Sequence, residues 1–364
     1  WWFWDPVENA SLLPWLLSTA LLHNIITVNV SKTMIKSAVI LSFLCFYSSV
    51  LGTFFVRSGF LDSVHSFTSD STRGIFILTF IIILLLLFIY IFIKYYPKKV
   101  VLQVETLYTK EGLILLNMLF MIAFYIIIGI GTFYPTVYAL ITGKGITIGP
   151  IYYNQAIIPT IISLLLLLNI NTYTSWYTLT KNNSTWVFIT RVASLALGAG
   201  LGYLYYEYQN LNDSPIAHII TITICIWAII LSTLDKNNIK IKKKYGMHIS
   251  HLGFTILVIG ICLWSRFHIE NHIIMYPGDR FKICDYELVF RGINTLNSVN
   301  YDSFYGSYLI IRNTITEGTL FPEKRHYFVQ DFYTSKVDIQ SSFFQDIHVL
   351  IGDGNIYSGW STSI

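Results

Sequence analysis

The sequence predicts an all-α polytopic membrane protein with about eight transmembrane helices, followed by a small β-rich soluble domain at the C-terminal end. Hydrophobic residues make up 54% of the 364 positions and charged residues only 12%, whereas soluble globular domains carry about 25% charged residues. Apolar runs, several of them long enough to cross a bilayer, recur over the first 265 residues. From about residue 266 short alternating segments replace them.

Eight apolar runs are predicted to be membrane helices, at residues 12–30, 34–55, 75–94, 113–134, 155–171, 186–205, 216–234 and 247–265. Alternate loops between them are rich in lysine, with Lys32, Lys36, Lys94, Lys98, Lys99, Lys110, Lys181, Lys236, Lys240, Lys242, Lys243 and Lys244. The positive-inside rule assigns these loops to the matrix or cytoplasm. The net charge of +4 therefore reflects topology rather than nucleic-acid binding.

The C-terminal residues 266–364 are predicted to form a β-rich soluble domain on the opposite, positive side. Segments such as Glu287–Phe290 and Ser307–Ile311 alternate or are β-branched and aromatic, with Gly, Asn and Asp between them. The predicted organisation is thus a Trp-rich motif at 1–15, a transmembrane domain at 12–265 that includes loop 56–74, and the soluble domain.

Cysteine usage and composition limit which class of protein this is and where it is located. The four cysteines, Cys45, Cys225, Cys262 and Cys284, form no C-x-x-C pair, so the chain is neither a dithiol carrier nor itself a c-type cytochrome. Ile is more frequent than Leu, and Tyr and Phe each occur 25 times, which is typical of AT-rich genes such as protist mitochondrial ones. We therefore predict the mitochondrial inner membrane, with a bacterial inner membrane as the alternative.

Four tryptophans fall within the first fifteen residues, among acidic and amide side chains. They are Trp1, Trp2, Trp4 and Trp15, and the polar residues between them include Asp5, Glu8 and Asn9. One interpretation is an aromatic belt at the membrane interface, where Trp is enriched. The other is a Trp platform (residues 1–15), on which a porphyrin stacks while indole N–H groups and polar neighbours reach its propionates. The residues alone leave both interpretations open.

Two histidines fall inside predicted membrane helices at similar depth. His23 lies roughly 10 Å from the lysine-rich end of the first helix, and His251 roughly 7 Å from that side in the eighth. Polar residues inside a membrane are functional candidates because their burial is costly. The pair could bind one haem iron from opposite faces, giving a low-spin b-type haem; alternatively, each hydrogen-bonds a neighbouring helix. His248, one turn before His251, is the competing candidate.

A third histidine, His65, lies on the positive-side loop 56–74, between Arg57 and Arg73. It is either a solvated loop residue or an axial ligand to a haem on the Trp platform, with a nearby arginine pairing a propionate. No chemistry is assigned to the remaining histidines, which are His218, His268, His272, His326 and His348.

The opening segment W-W-F-W-D-P-V-E-N-A-S-L-L-P-W resembles the WWD signature of haem-handling membrane proteins. Further segments, in order along the chain, are similar to one branch of that family, the CcmF-type cytochrome c haem lyases: Leu51–Gly59, Ser63–His65, Arg73–Gly74, His251–Gly253, Pro322–Arg325 and Gly352–Asp353. The family's Gly-Gly pair ahead of the signature and its final membrane helix are not found in the sequence, so we expect the chain to be incomplete at both ends.

The resemblance implies a haem lyase (holocytochrome c synthase) subunit in cytochrome c maturation, which receives haem, holds and reduces it, and promotes its thioether attachment to apocytochrome c. His23 and His251 match the family's ligands to a buried bis-His haem b. His65 matches one of two external ligands to a second haem, the substrate on the positive side, and the other ligand is expected upstream of Trp1. No catalytic side chain is expected on this chain beyond haem positioning.

The implied partners are a CcmE-like haem carrier or chaperone, apocytochrome c, a CcmH-like thiol-handling subunit, the missing N-terminal CcmF portion or a split subunit, and membrane quinol, but not nucleic acid. Two alternatives remain open. One is a CcmC-like haem exporter or loader, although those proteins are shorter and lack a domain like 266–364. The other is a non-catalytic scaffold subunit of a membrane assembly, without bound haem.

Overall fold

The computed structural model describes residues 2–61, 71–96, 107, 109–171, 216–234, 245–329, 331–343 and 345–364. The chain divides into two compact units, Trp1–Trp264 and Ser265–Ile364. The first unit is helical and the second is built of β-strands. The predicted fold class, a polytopic α-helical membrane protein with a C-terminal β-rich domain, is confirmed.

The described part of the first unit contains seven helices: α1 (Pro6–Ser31), α2 (Ile35–Ser58), α3 (Ser71–Tyr95), α4 (Lys110–Thr142), α5 (Pro150–Asn171), α6 (Ile216–Leu234) and α7 (Tyr245–Phe267). Six of these, α1 to α5 and α7, are long and apolar enough to cross a membrane. The span predicted at 186–205 lies outside the described residues.

Helix α1 begins at Pro6, whereas the apolar run predicted a start at residue 12. The difference has a local cause at the helix N-terminus. The Asp5 side chain accepts a hydrogen bond from the N–H of Val7, and the Glu8 side chain reaches back to the N–H of Asp5. This is a capping box, and Pro6 occupies the first helical position, where proline is well tolerated. Residues 6–15 of the Trp platform are therefore helical.

Helix α4 also extends past its predicted end at 134, to Thr142. Pro135 lies inside the helix without ending it. The helix ends at Gly143, which has a φ of 69° and donates its N–H to the carbonyl of Ala139. A left-handed glycine at this position is a common helix end.

Helix α1 packs at the centre of the helical unit. Leu13, Leu16, Leu17 and Ala20 are buried in one cluster that includes Met118 of α4 and residues of α2 and α5. Pro14 lies inside α1 and cannot donate a hydrogen bond to the carbonyl of Ala10. Gly52 of α2 packs against that carbonyl, since a Cβ there would lie 3.4 Å from its oxygen. A small residue at position 52 therefore lets α2 approach α1 closely.

The described part of the second unit contains ten antiparallel strands in two sheets, with orders β1-β10-β9-β8 and β2-β3-β4-β6-β7, in which β5 also pairs with β4. The strands are β1 (His272–Met275), β2 (Arg280–Ile283), β3 (Tyr286–Asn297), β4 (Tyr301–Arg312), β5 (Ile315–Leu320), β6 (Glu323–Tyr327), β7 (Phe332–Lys336), β8 (Asp338–Ser341), β9 (Asp346–Asn355) and β10 (Gly359–Ser363). Buried residues from both sheets, such as Phe290, Tyr308, Ile351 and Trp360, form its core. Both segments predicted as strands lie within β3 and β4.

Candidate functional site

The described part of the Trp platform begins with a tight backbone turn at Trp4. Trp4 has a φ of 60°, a left-handed conformation that is uncommon for residues with a side chain. The Glu8 carboxylate accepts hydrogen bonds from the N–H groups of Phe3 at 2.9 Å and Asp5 at 3.1 Å. The Asn9 amide donates to the Trp4 carbonyl at 3.0 Å. Three polar side chains of the motif, those of Asp5, Glu8 and Asn9, thus hold the backbone of this turn and of the helix that follows.

A buried polar network connects this turn to α4 and α5. The Nδ2 atom of Asn9 lies 3.1 Å from both the hydroxyl of Thr132 and the hydroxyl of Tyr153. All three side chains are almost inaccessible, with exposed fractions of 0%, 2% and 1%. The indole of Trp4 stacks on the Tyr153 ring at 4.4 Å, with 5° between the planes. Sequence reasoning missed Thr132 and Tyr153, because nothing local marks a contact between positions more than 120 residues apart.

The exposed aromatic surface of the turn belongs to Trp2 and Phe3, whose exposed fractions are 41% and 58%. Trp2 also packs edge-on against Trp4 at 6.1 Å. Trp15 is 47% exposed but lies on α1 about 15 Å beyond Asp5, at 1.5 Å per residue. Among the described tryptophans, Trp15 is therefore separate from the surface that Trp2 forms. Trp1 lies outside the described residues.

The two arginines predicted to serve the platform lie at the ends of neighbouring helices. Arg57 is in the last turn of α2 and Arg73 in the first turn of α3, and both are exposed. The helix ends are in contact, since a Cβ on Gly74 would lie 2.8 Å from the Cβ of Ser58. His65 falls in the connection between them, at 62–70, which lies outside the described residues.

The rings of His23 on α1 and His251 on α7 face each other inside the helical unit. Their centres are 6.3 Å apart and their planes differ by 7°. Two metal–nitrogen bonds of about 2.0 Å each, together with the two ring radii, span about 6 Å. This separation of the ring centres fits one metal ion where the nitrogen edges of the two rings point at each other, since the nitrogen lone pairs lie in the ring planes.

One nitrogen of His23 already has a partner. Nδ1 lies 2.8 Å from the carbonyl oxygen of Thr19, and it donates to that oxygen in the tautomer that leaves Nε2 unprotonated. A metal-binding histidine commonly has its second nitrogen fixed in this way. The arrangement thus leaves Nε2 of His23 able to bind iron.

Two further basic residues lie near His251. His248 and Lys110 lie close enough to interact electrostatically with His251. Among the described residues, no group of three or more His, Cys, Asp or Glu side chains is placed to hold a metal ion. Two histidines nevertheless suit a haem, because the porphyrin supplies the remaining iron ligands.

The motifs of the C-terminal unit form ion pairs. Lys324 on β6 pairs with Asp353 on β9 and so joins the two sheets. Glu323 binds Arg325 at 2.6 Å and Lys336 at 3.1 Å. Hydrogen bonds from Arg325 and then Lys336 lower the pKa of Glu323 to about 2. These contacts give Pro322–Arg325 and Gly352–Asp353 a role in the architecture of the sandwich.

Comparisons with known proteins agree with this arrangement. The family described as "Cytochrome C assembly protein" matches residues 1–65, and the one described as "CcmF C-terminal beta-sandwich" matches residues 266–364. The "Cytochrome c-type biogenesis protein CcmF" of Pseudomonas aeruginosa is 32% identical over 380 residues, covering 100% of this chain and 56% of that protein. The protein of the same name from Escherichia coli is 27% identical over 367 residues, covering 100% of this chain and 57% of that one.

A solved structure has the same fold. The "Cytochrome c Heme Lyase CcmF" superposes with a TM-score of 0.70 at 18% identity, covering 100% of this chain and 56% of the other. The chain thus spans about half the length of the curated relatives it matches. With full-length coverage at up to 32% identity and the CcmF-type β-sandwich at its end, the chain belongs to the CcmF family.

Proposed function

We propose that this chain is part of a cytochrome c haem lyase (holocytochrome c synthase), which receives haem, keeps it reduced and promotes its attachment to apocytochrome c. The observation that carries the proposal is the facing pair His23 and His251, at a separation that suits one haem iron. Two titratable rings facing each other inside a membrane are costly unless they serve a function. The names of the relatives, which refer to cytochrome c biogenesis and haem lyase, support the same activity.

In this proposal His23 and His251 hold a resident haem b by its iron. The carbonyl of Thr19 fixes the tautomer of His23. When bound, a bis-His haem supplies a one-electron carrier. The chain itself supplies position and an apolar environment. Lys110 adds positive charge near His251, where a haem propionate would be stabilised.

A second haem is the substrate, on the positive side of the membrane. We infer that the Trp platform receives it, with the exposed Trp2 and Phe3 as the stacking surface. Arg57 and Arg73 lie at the ends of two contacting helices and would pair with propionates. His65, between them in the sequence, is proposed as an axial ligand.

The attachment chemistry needs little from this chain beyond positioning. Each thiol of a C-x-x-C-H partner adds across a haem vinyl group, so that a carbon–sulfur bond forms, the thiol proton ends on the other vinyl carbon, and nothing leaves. The addition is redox-neutral, and the nucleophilic thiolate belongs to the partner. A reductant is needed only to keep the iron ferrous.

The scheme implies several partners and a location. A CcmE-like carrier would deliver haem, a CcmH-like subunit would present reduced thiols of apocytochrome c, and membrane quinol would supply electrons. The external ligand expected upstream of Trp1 would come from further N-terminal sequence or from a split subunit. An energy-transducing inner membrane is the natural site. The two relatives described above are bacterial, so the mitochondrial location rests on composition alone.

The visible spectrum of the full-length protein, purified from its membrane, tests the proposal. We expect a low-spin b-type spectrum that disappears in both His23→Ala and His251→Ala. A protein that carries no haem under any loading condition would instead support the scaffold alternative. The CcmC-like alternative is disfavoured by the β-sandwich at 266–364.

A further inference from the structure

We propose that Tyr153 is a positioning residue for the Trp platform: its ring backs the Trp4 indole, and its hydroxyl, together with Asn9 and Thr132, fixes the turn that presents Trp2 and Phe3. The inference rests on the proposed function, because it assumes that the platform receives the substrate haem. It concerns a residue on α5, far in sequence from the Trp-rich motif.

Trp4 packs between two other aromatic side chains. One face of its indole is covered by the Tyr153 ring at 4.4 Å, nearly parallel. Trp2 packs edge-on against the same indole. Trp4 therefore lies between the surface and the helical core, and a haem would meet Trp2 and Phe3 first. Trp4 supports that surface, and Tyr153 supports Trp4.

The same network holds the backbone of the turn. The left-handed φ of Trp4 is unfavourable for a bulky residue and persists only where its surroundings hold it. The Asn9 Nδ2 group donates to the Trp4 carbonyl and lies within hydrogen-bond distance of the Thr132 and Tyr153 hydroxyls, so its two N–H groups are shared among three acceptors. The network therefore makes the orientation of the exposed aromatic side chains depend on residues of α4 and α5.

Stability alone does not explain this buried polar network. Asn9 is fully buried, and its Oδ1 has no hydrogen-bond partner among the described residues. A buried acceptor without a donor lowers stability. The space is also tight, since a Cβ at Gly131 would lie 2.7 Å from the Tyr153 hydroxyl. A costly, closely fitted polar cluster beneath an exposed aromatic turn indicates a role in orientation.

The test compares variants of the full-length protein titrated with haemin. We expect Tyr153→Leu to weaken haemin binding at the platform by about two- to tenfold, the range that one aromatic pair is worth. Tyr153→Phe keeps the ring and should restore most of the affinity. The buried haem spectrum should stay unchanged in both, although the melting temperature of Tyr153→Leu should fall because Tyr153 is fully buried. Tyr134→Leu, the same exchange at an exposed position on α4, is the matched control.

The outcomes separate the inference from the proposed function. Unchanged haemin binding in Tyr153→Leu, with binding lost in the double variant Trp2→Ala/Phe3→Ala, would overturn the inference alone. Unchanged binding in both would overturn the platform and the inference with it. Loss of the buried haem spectrum together with platform binding in Tyr153→Leu would also overturn the inference, since it would assign Tyr153 a purely structural role.

Discussion

Removing either histidine of the facing pair should abolish the buried haem. The ring centres are 6.3 Å apart, which is the separation expected when each imidazole forms one bond of about 2.0 Å to the same iron. Without one imidazole the iron would be five-coordinate or would take water as its sixth ligand. Loss of a partner that only orients a metal ligand weakens binding by about 10- to 100-fold. Loss of the ligand itself should exceed about 100-fold.

The assay is the reduced-minus-oxidised spectrum of the purified protein, with haem content measured on the same sample. His23→Ala and His251→Ala should each lose the low-spin bands. His251→Met should keep six ligands and raise the midpoint potential, by on the order of 100 mV within the range of about 0.8 V that axial ligands control. His248→Ala is the control, because His248 lies one turn away on the same helix.

Two results would refute the assignment of His23 and His251 as iron ligands. If His23→Ala kept the low-spin spectrum and His248→Ala removed it, the ligand assignment would be wrong although family membership would stand. An unchanged potential in His251→Met would likewise show that residue 251 does not bind the iron.

Three further predictions concern other parts of the chain. His65→Ala should leave the buried haem spectrum intact and impair only the external haem, as measured by haemin titration. Lysines at 236–244 should react with an impermeant amine reagent only from the matrix or cytoplasmic side, and labelling from the opposite side would overturn the orientation. Glu323→Gln should destabilise the C-terminal unit at pH 7 by about 1 to 2 kcal/mol, after allowance for solvent screening. Arg325 lowers the folded-state pKa of Glu323 from 4.5 to about 2. The stabilisation that the Glu323 carboxylate provides is therefore present above about pH 4.5 and is lost as the pH falls towards 2. The melting temperatures of wild type and Glu323→Gln should converge at that low pH.

The fold class could be predicted because its signals are local and strong. Long apolar runs specify membrane helices, and alternating β-branched segments specify strands such as those around Phe290 and Tyr308. The start of α1 was missed for a local reason as well: D-P-V-E is a capping box, but Asp5 and Glu8 were assigned to ligand binding. Read as helix-start signals, these residues predict the observed start at Pro6.

The two histidines of the buried pair could be chosen from the sequence because polar residues are rare in apolar helices and their depths are similar. Their facing geometry could not, since it depends on how α1 and α7 pack. The network of Asn9, Thr132 and Tyr153 was beyond the sequence for the same reason. Tertiary packing brings three helices together there, and an ordinary Tyr or Thr in an apolar helix carries no periodic signal.

Helix α1 carries both proposed haem-binding regions, and its length keeps them apart. Asp5 caps the helix, and His23 lies 18 positions later (23 minus 5), about 27 Å along the axis. A bilayer core is about 30 Å thick, so most of that thickness separates the histidine pair from the exposed Trp2 and Phe3. A haem on Trp2 and Phe3 therefore shares no ligand with the histidine pair. The same helix is buried against α2, α4 and α5 along this length, so it acts as a rigid spacer. Substitutions at the pair and at the platform should therefore change separate spectra, and a variant that changes both must act through the packing of α1 itself.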